Sequence, residues 1–82
     1  MTKYLPIFLW LSGLKVKSIA VTFSKLEETL GFELPNSART HRAWWGNERI
    51  PHRHTCCRAW LDAGFETRDV NLGLETLVFH KV

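Results

Sequence analysis

The stretch Thr55-Cys-Cys-Arg-Ala-Trp-Leu-Asp-Ala-Gly64, running directly into Phe65-Glu-Thr-Arg-Asp-Val70, Asn71-Leu-Gly-Leu74 and Thr76-Leu-Val-Phe-His-Lys81, decides the fold class of this 82-residue chain. Thr55 is a favoured helix cap, and Cys56/Cys57 stand four residues before Trp60/Leu61, the spacing of one helix face. Arg58 and Asp62, also four apart, predict an ion pair on the outer face, and Gly64 predicts a left-handed stop. Beyond it, two alternating segments flank a short turn, the pattern of an antiparallel hairpin.

Working upstream, residues 47–53 are polar, aperiodic and broken by Pro51, and predict an exposed loop. Asn36 or Ser37 is placed to cap a helix through Ala38, Arg42, Ala43 and Trp45, with Ala38, Ala43 and Trp45 near one face and Gly46-Asn47 as its stop. Ser24 and Glu27 have capping-box spacing at the start of a helix that ends at Gly31, and Pro35 prevents its continuation. Ser18–Phe23, rich in β-branched and aromatic residues, predicts a strand, and residues 4–12 a first helix. In that helix Leu5, Phe8, Leu9 and Trp10 leave no wide polar face.

The expected fold is therefore α+β: three or four short helices with a small antiparallel sheet ending in a C-terminal hairpin. Val21, Phe23, Leu26, Leu30, Trp60, Leu61, Val70, Leu77 and Phe79 should share one core. The element order resembles a winged helix-turn-helix, with the Ser24 helix supporting, the Thr55 helix in the recognition position and the hairpin as wing. It departs from that pattern through the additional residues 36–53, and a plain domain with helices on one face of a three-stranded sheet fits equally.

A chain this short has room for one domain, its 45% apolar residues are those of a folding sequence, and no run approaches the ~20 apolar residues of a membrane span. The apolar run near Met1 has no small-residue cleavage site after it, and Lys15 and Lys17 follow at once, so a first helix is expected rather than an export signal. Two adjacent cysteines, whose bridging would be strained, fit reduced thiols and a cytoplasmic protein.

Charge is concentrated. From Arg39 to Arg58 the chain carries Arg39, Arg42, Arg49, Arg53 and Arg58 against one acid, Glu48, a local charge of +4, whereas the other 62 residues hold six Lys/Arg against seven acids. Arginine suits bidentate contacts with phosphate and stacks on rings, so the window points to a polyanion; the bland counterpart is a solvated basic face. Trp44 and Trp45 diverge by ~100° on a helix, which leaves one for the core and one as a stacking platform, or both buried against different elements. Asn47 fits the left-handed end of a helix better than base reading, although asparagine does pair with adenine.

His52, His54, Cys56 and Cys57 offer zinc-binding atoms at a spacing unlike the usual paired ligands, so no metal and no cofactor is expected, and the thiols read as small packing groups. No paired carboxylates, nucleophile elbow or phosphate loop is present, which disfavours an enzyme.

The segments Phe23-Ser-Lys-Leu-Glu-Glu-Thr-Leu-Gly31, Leu34-Pro-Asn-Ser-Ala-Arg-Thr-His-Arg-Ala-Trp-Trp-Gly-Asn47 and Arg58-Ala-Trp-Leu-Asp-Ala-Gly-Phe65 resemble a family of small bacterial and phage domains of unknown function. Its pattern reads F-x-x-[LI]-E-x-x-L-G, L-P-x-S-A-R-x-x-R-A-W-W-x-N and A-W-L-x-A-G-[WF], and the resemblance covers nearly the whole chain. His52–Cys57 departs from it, since a single His precedes the last helix there. The resemblance implies an accessory protein of mobile elements and leans toward DNA. The expected function is thus a non-catalytic nucleic-acid-binding module, DNA favoured, acting through Arg39, Arg42, Trp45, Asn47, Arg49, Arg53 and Arg58, with no membrane role. The alternative is a protein-interaction module, such as an inhibitor or accessory of a bacterial or phage defence system, using the same surface.

Overall fold

Tyr4, Ile7 and Leu11 recur at three- and four-residue spacing, and they form the buried stripe of α1 (Leu5–Ser12), which carries Pro6 in its first turn, where a missing N–H costs little. The computed structural model describes residues 3–47 and 55–82, with Thr55, Cys56 and Cys57 described by backbone alone. After α1 come β1 (Ser18–Thr22), α2 (Phe23–Leu30), α3 (Asn36–Thr40), a 3₁₀ turn (Arg42–Trp45), α4 (Thr55–Asp62), β2 (Phe65–Asn71) and β3 (Thr76–Lys81). This is the expected α+β architecture with a C-terminal hairpin.

The sheet is antiparallel in the order β1–β3–β2, so the last strand lies in the middle and both other strands are edges. Ile19 pairs with Phe79 and Val21 with Leu77, placing their side chains on the face that meets the helices. On β2 the register slips by one residue between Arg68 and Asn71, and Asp69 takes a φ of 50° within that bulge. Asn71 Oδ1 then accepts the Leu74 N–H at 2.9 Å to shape the turn.

Helix α2 buries Phe23, Leu26 and Leu30 on one stripe and ends at Gly31, whose φ of 83° is the left-handed stop read from sequence. Its cap differs from the expectation. Thr22, not Ser24, accepts the Lys25 N–H at 3.0 Å, because the strand passes straight into the helix and Ser24 is already inside its first turn. Glu27 is thereby released from capping and is used elsewhere.

The expected continuous helix from residue 36 to 45 is broken. His41 adopts extended angles (φ −124°, ψ 111°), which separates the five-residue α3 from the 3₁₀ turn. The cap position of α3 is Pro35, with no side-chain bond from Asn36 or Ser37. Ala43, expected beside Ala38 and Trp45, is exposed, while the other two are buried. The turn carries the chain over the end of the core so that Trp45 enters it; a continued helix would have held the 3.6-residue period.

All the expected core residues are buried except Val70, which is half-buried against the cluster. Tyr4, Ile7, Leu11, Leu34, Ala38, Trp45, Ala59 and Phe65 join them. Helix α1 packs on both α2 and α4, and α4 packs on β2. Gly64, with φ 87°, ends α4 as expected.

Candidate nucleic-acid interface

The basic window divides at its middle. Its first part, Arg39–Asn47, is turned toward the protein. Arg39 on α3 places Nη1 2.9 Å from Glu27 of α2 and Nε 2.9 Å from Glu75, the residue leading into β3. Glu27 also accepts the Leu34 N–H at 2.8 Å. The Arg39 hydrogen bond first, and the Leu34 amide second, hold the Glu27 carboxyl below its ordinary range against the opposing effect of burial, and the Glu27 bond raises Arg39. Glu75 sits at a φ of 56°, and its carbonyl accepts the Phe23 N–H at 2.9 Å, so this clamp fixes a strained residue where hairpin, β1 and α2 meet. A surface depression of about 420 Å³ beside it is lined by Glu27, Glu33, Leu34, Asn36 and Arg39. With two acids and an arginine already paired, that lining suits no polyanion.

Trp45 is 1% exposed. Its ring stacks with Phe23 at 4.8 Å and with Trp60 at 5.8 Å, and its Nε1–H donates to the Ala38 carbonyl at 2.7 Å. No ring face remains for a base. Trp44 is half-buried and meets Tyr4 edge-on at 6.1 Å. Neither sequence alternative is taken in full: Trp45 is the core ring, while Trp44 stays half-buried and packs edge-on against Trp45 itself at 4.6 Å.

Asn47 acts as a substitute strand. Its Oδ1 accepts the Thr67 N–H at 2.8 Å while its Nδ2 donates to the Thr67 carbonyl at 3.0 Å, the two bonds a neighbouring strand would make. The same Oδ1 accepts the indole N–H of the buried Trp60 at 3.1 Å, so its partners fix the amide orientation. The Thr67 hydroxyl donates to the Trp45 carbonyl. Nor does Asn47 adopt the expected left-handed backbone, since the positive φ values among the described non-glycine residues belong to Asp69 and Glu75. Arg42, although exposed, donates Nη1–H to the Val70 carbonyl at 2.8 Å. Arg39, Trp45 and Asn47 thus have the groups expected to face nucleic acid engaged within the fold.

The second part of the window begins outside the described residues, where Arg49, Arg53, His52 and His54 fall. The zinc question concerns His52, His54 and the two cysteine side chains and so also lies outside them. Arg58 is described: it stands on the exposed face of α4 with Nε 3.8 Å from Asp62, the pair expected from spacing. At nearly half exposure on both sides, such a pair contributes little stability.

Sequence reasoning missed Glu75, Thr67 and the Trp60 indole as partners of the window. The signal for Asn47 was present in principle, because a side-chain amide carries one donor and one acceptor like a peptide group. Which strand it pairs with was not. No helix among the described residues is long and apolar enough to cross a membrane. Residues 4–82 match the family described as a domain of unknown function (DUF7662), and the chain belongs to that family. No curated protein and no solved structure matches.

Proposed function

We propose that this DUF7662 chain is a small non-catalytic nucleic-acid-binding module, DNA favoured, that works through the later part of its basic window: Arg49, Arg53 and Arg58, with Arg42 at the margin. The supporting observation is topological. A helix with an outward arginine, α4, immediately precedes the hairpin, in a sheet ordered β1–β3–β2, as a winged helix presents its recognition helix and wing. The LPxSARxxRAWWxN and AWLxAG[WF] stretches resemble those of small bacterial and phage domains, which would suit a cytoplasmic accessory of a mobile element.

Titration of duplex DNA, single-stranded DNA and RNA by fluorescence anisotropy across a salt series tests this reading. If three or four arginines meet phosphates, log K falls against log salt with a slope of roughly −3 to −4 on duplex. Arg53→Ala and Arg58→Ala each reduce that slope by about one, while Arg39→Ala lowers the melting temperature and leaves the slope unchanged. Absence of binding to all three at low salt favours the second reading, a protein-interaction module. One observation supports that alternative. Leu5 and Leu9, one turn apart on α1, are 42% and 59% exposed on a helix without a charged residue.

A further inference from the structure

The sheet has a second edge, β1, and no described residue pairs with its outward backbone groups. Phe23 N–H donates to the Glu75 carbonyl at 2.9 Å, and the Lys17 carbonyl accepts the Lys81 N–H at 2.7 Å, so residues 17 and 23 face β3. Peptide groups alternate in direction along a strand; Ile19 and Val21 therefore also face β3, and Ser18, Ala20 and Thr22 point their N–H groups outward. The Ser18 and Ala20 carbonyls point the same way. Among the described residues nothing bonds to these outward groups. Ser18, Ala20 and Thr22 are all exposed and have small side chains, which leaves the edge open to close approach.

We propose that the outer edge of β1 is a docking strand for an extended acidic segment of a partner protein, which adds to the sheet as a fourth strand. Main-chain bonds to Ser18, Ala20 and Thr22 supply the attachment, and alternate side chains supply selectivity. Two features name the occupant. Lys15, Lys17 and Lys25, all exposed, flank β1 in sequence, and no Asp or Glu occurs from Leu14 to Leu26, so the strand and its immediate flanks carry only positive charge. Self-pairing would set the same three lysines of two copies against each other, which disfavours a second copy of this chain and leaves a strand of opposite charge. Half-buried Ile19 at the same edge selects apolar residues alternating with the acids, because one face of the added strand continues the core side of the sheet. The other edge is closed to such a strand, since Asn47 occupies both backbone groups of Thr67 and Arg42 the Val70 carbonyl.

The test uses the full chain, isotopically labelled, titrated with a blocked heptapeptide of alternating Glu and Val and, separately, with its Lys/Val counterpart. The Glu peptide should slow amide exchange at Ser18, Ala20 and Thr22 and bind at least about tenfold more tightly than the Lys peptide. Ala20→Pro removes one outward donor without touching a β1–β3 bond and should weaken the Glu peptide about fivefold or more, whereas Ala20→Val, which keeps the donor, should not. Lys15→Glu combined with Lys17→Glu should reverse the preference toward the Lys peptide. Unchanged exchange at the three amides, equal binding of the two peptides, or equal binding by folded Ala20→Pro would overturn the proposal.

Discussion

At the β2 edge, Thr67 gives its N–H and C=O to Asn47 and Val70 its C=O to Arg42, whereas at the β1 edge Ser18 and Ala20 turn theirs to solvent. Both strands belong to one three-stranded sheet and flank the same central β3. An unpaired edge is a template for another strand, so folded chains cover it, charge it or use it. Here a single segment, Arg42–Asn47, covers one edge with side chains while sending Trp45 into the core, and among the described residues the other edge is left unpaired, with lysines flanking it in sequence. Residue types that by chemistry suit phosphate or base recognition are, in this segment, doing the work of a missing strand.

The sharpest way to break this comparison is to remove the anchor of the covering segment. Trp45→Ala deletes a buried ring stacked on Phe23 and Trp60 and should cost about 3–5 kcal/mol, measured as the shift in a urea midpoint. Domains of this size have on the order of 5–10 kcal/mol in total, so the loss should be a large fraction of the whole. A loss below about 1 kcal/mol would mean that the segment does not depend on the core.

Next is the amide itself. Asn47→Ala strands the Trp60 indole N–H in the core and unpairs both backbone groups of Thr67, for an expected loss of about 2–3 kcal/mol. Asn47→Asp keeps the acceptor for Trp60 and Thr67 but sets a carboxylate oxygen against the Thr67 carbonyl, and should recover little of that loss. Full recovery by Asp would show that the donor half of the pairing is idle.

The clamp comes third. Arg39→Met retains much of the apolar stem and removes both ion pairs, and partial exposure limits the expected loss to about 1 kcal/mol. Because the Glu27 carboxyl is held below its ordinary value of 4.5, folding favours its charged form. Its contribution is complete above that value and disappears as pH falls through the lowered one. Melting temperature should therefore drop on acidification below about pH 4.5, and less steeply in Glu27→Gln, as a thermal series from neutral to acidic pH would read.

The smallest effect belongs to the open edge. Ala20→Pro removes an N–H that bonds to nothing among the described residues, on an edge strand where proline is tolerated, so the loss should be under about 1 kcal/mol. A loss as large as that of Asn47→Ala would mean the two edges are not different after all.

What the sequence determined by itself is the part governed by short-range chemistry. Gly31 and Gly64 stop helices because only glycine reaches a φ above 80° without penalty, and Phe23, Leu26 and Leu30 predict their own stripe through helical period. The alternation over Phe65–Lys81 gives the hairpin for the same kind of reason. The Arg58–Asp62 pair follows from a spacing of four on one helix. Even here a neighbour shifted the detail, since Thr22 took the cap that Ser24 was placed to make once the strand abutted the helix.

Which members of the basic and aromatic window face inward was decided only by tertiary structure. Asn47 meets Thr67 twenty residues away, and Arg39 meets Glu75 across thirty-six. A guanidinium bonds to a carboxylate as well as to a phosphate, and a side-chain amide to a strand backbone as well as to adenine, so residue type leaves both outcomes open. The choice falls to whatever unpaired group the fold brings within about 3 Å: for Asn47 and Arg42 that group is the exposed edge of β2, and for Arg39 it is the pair of carboxylates where hairpin and α2 meet.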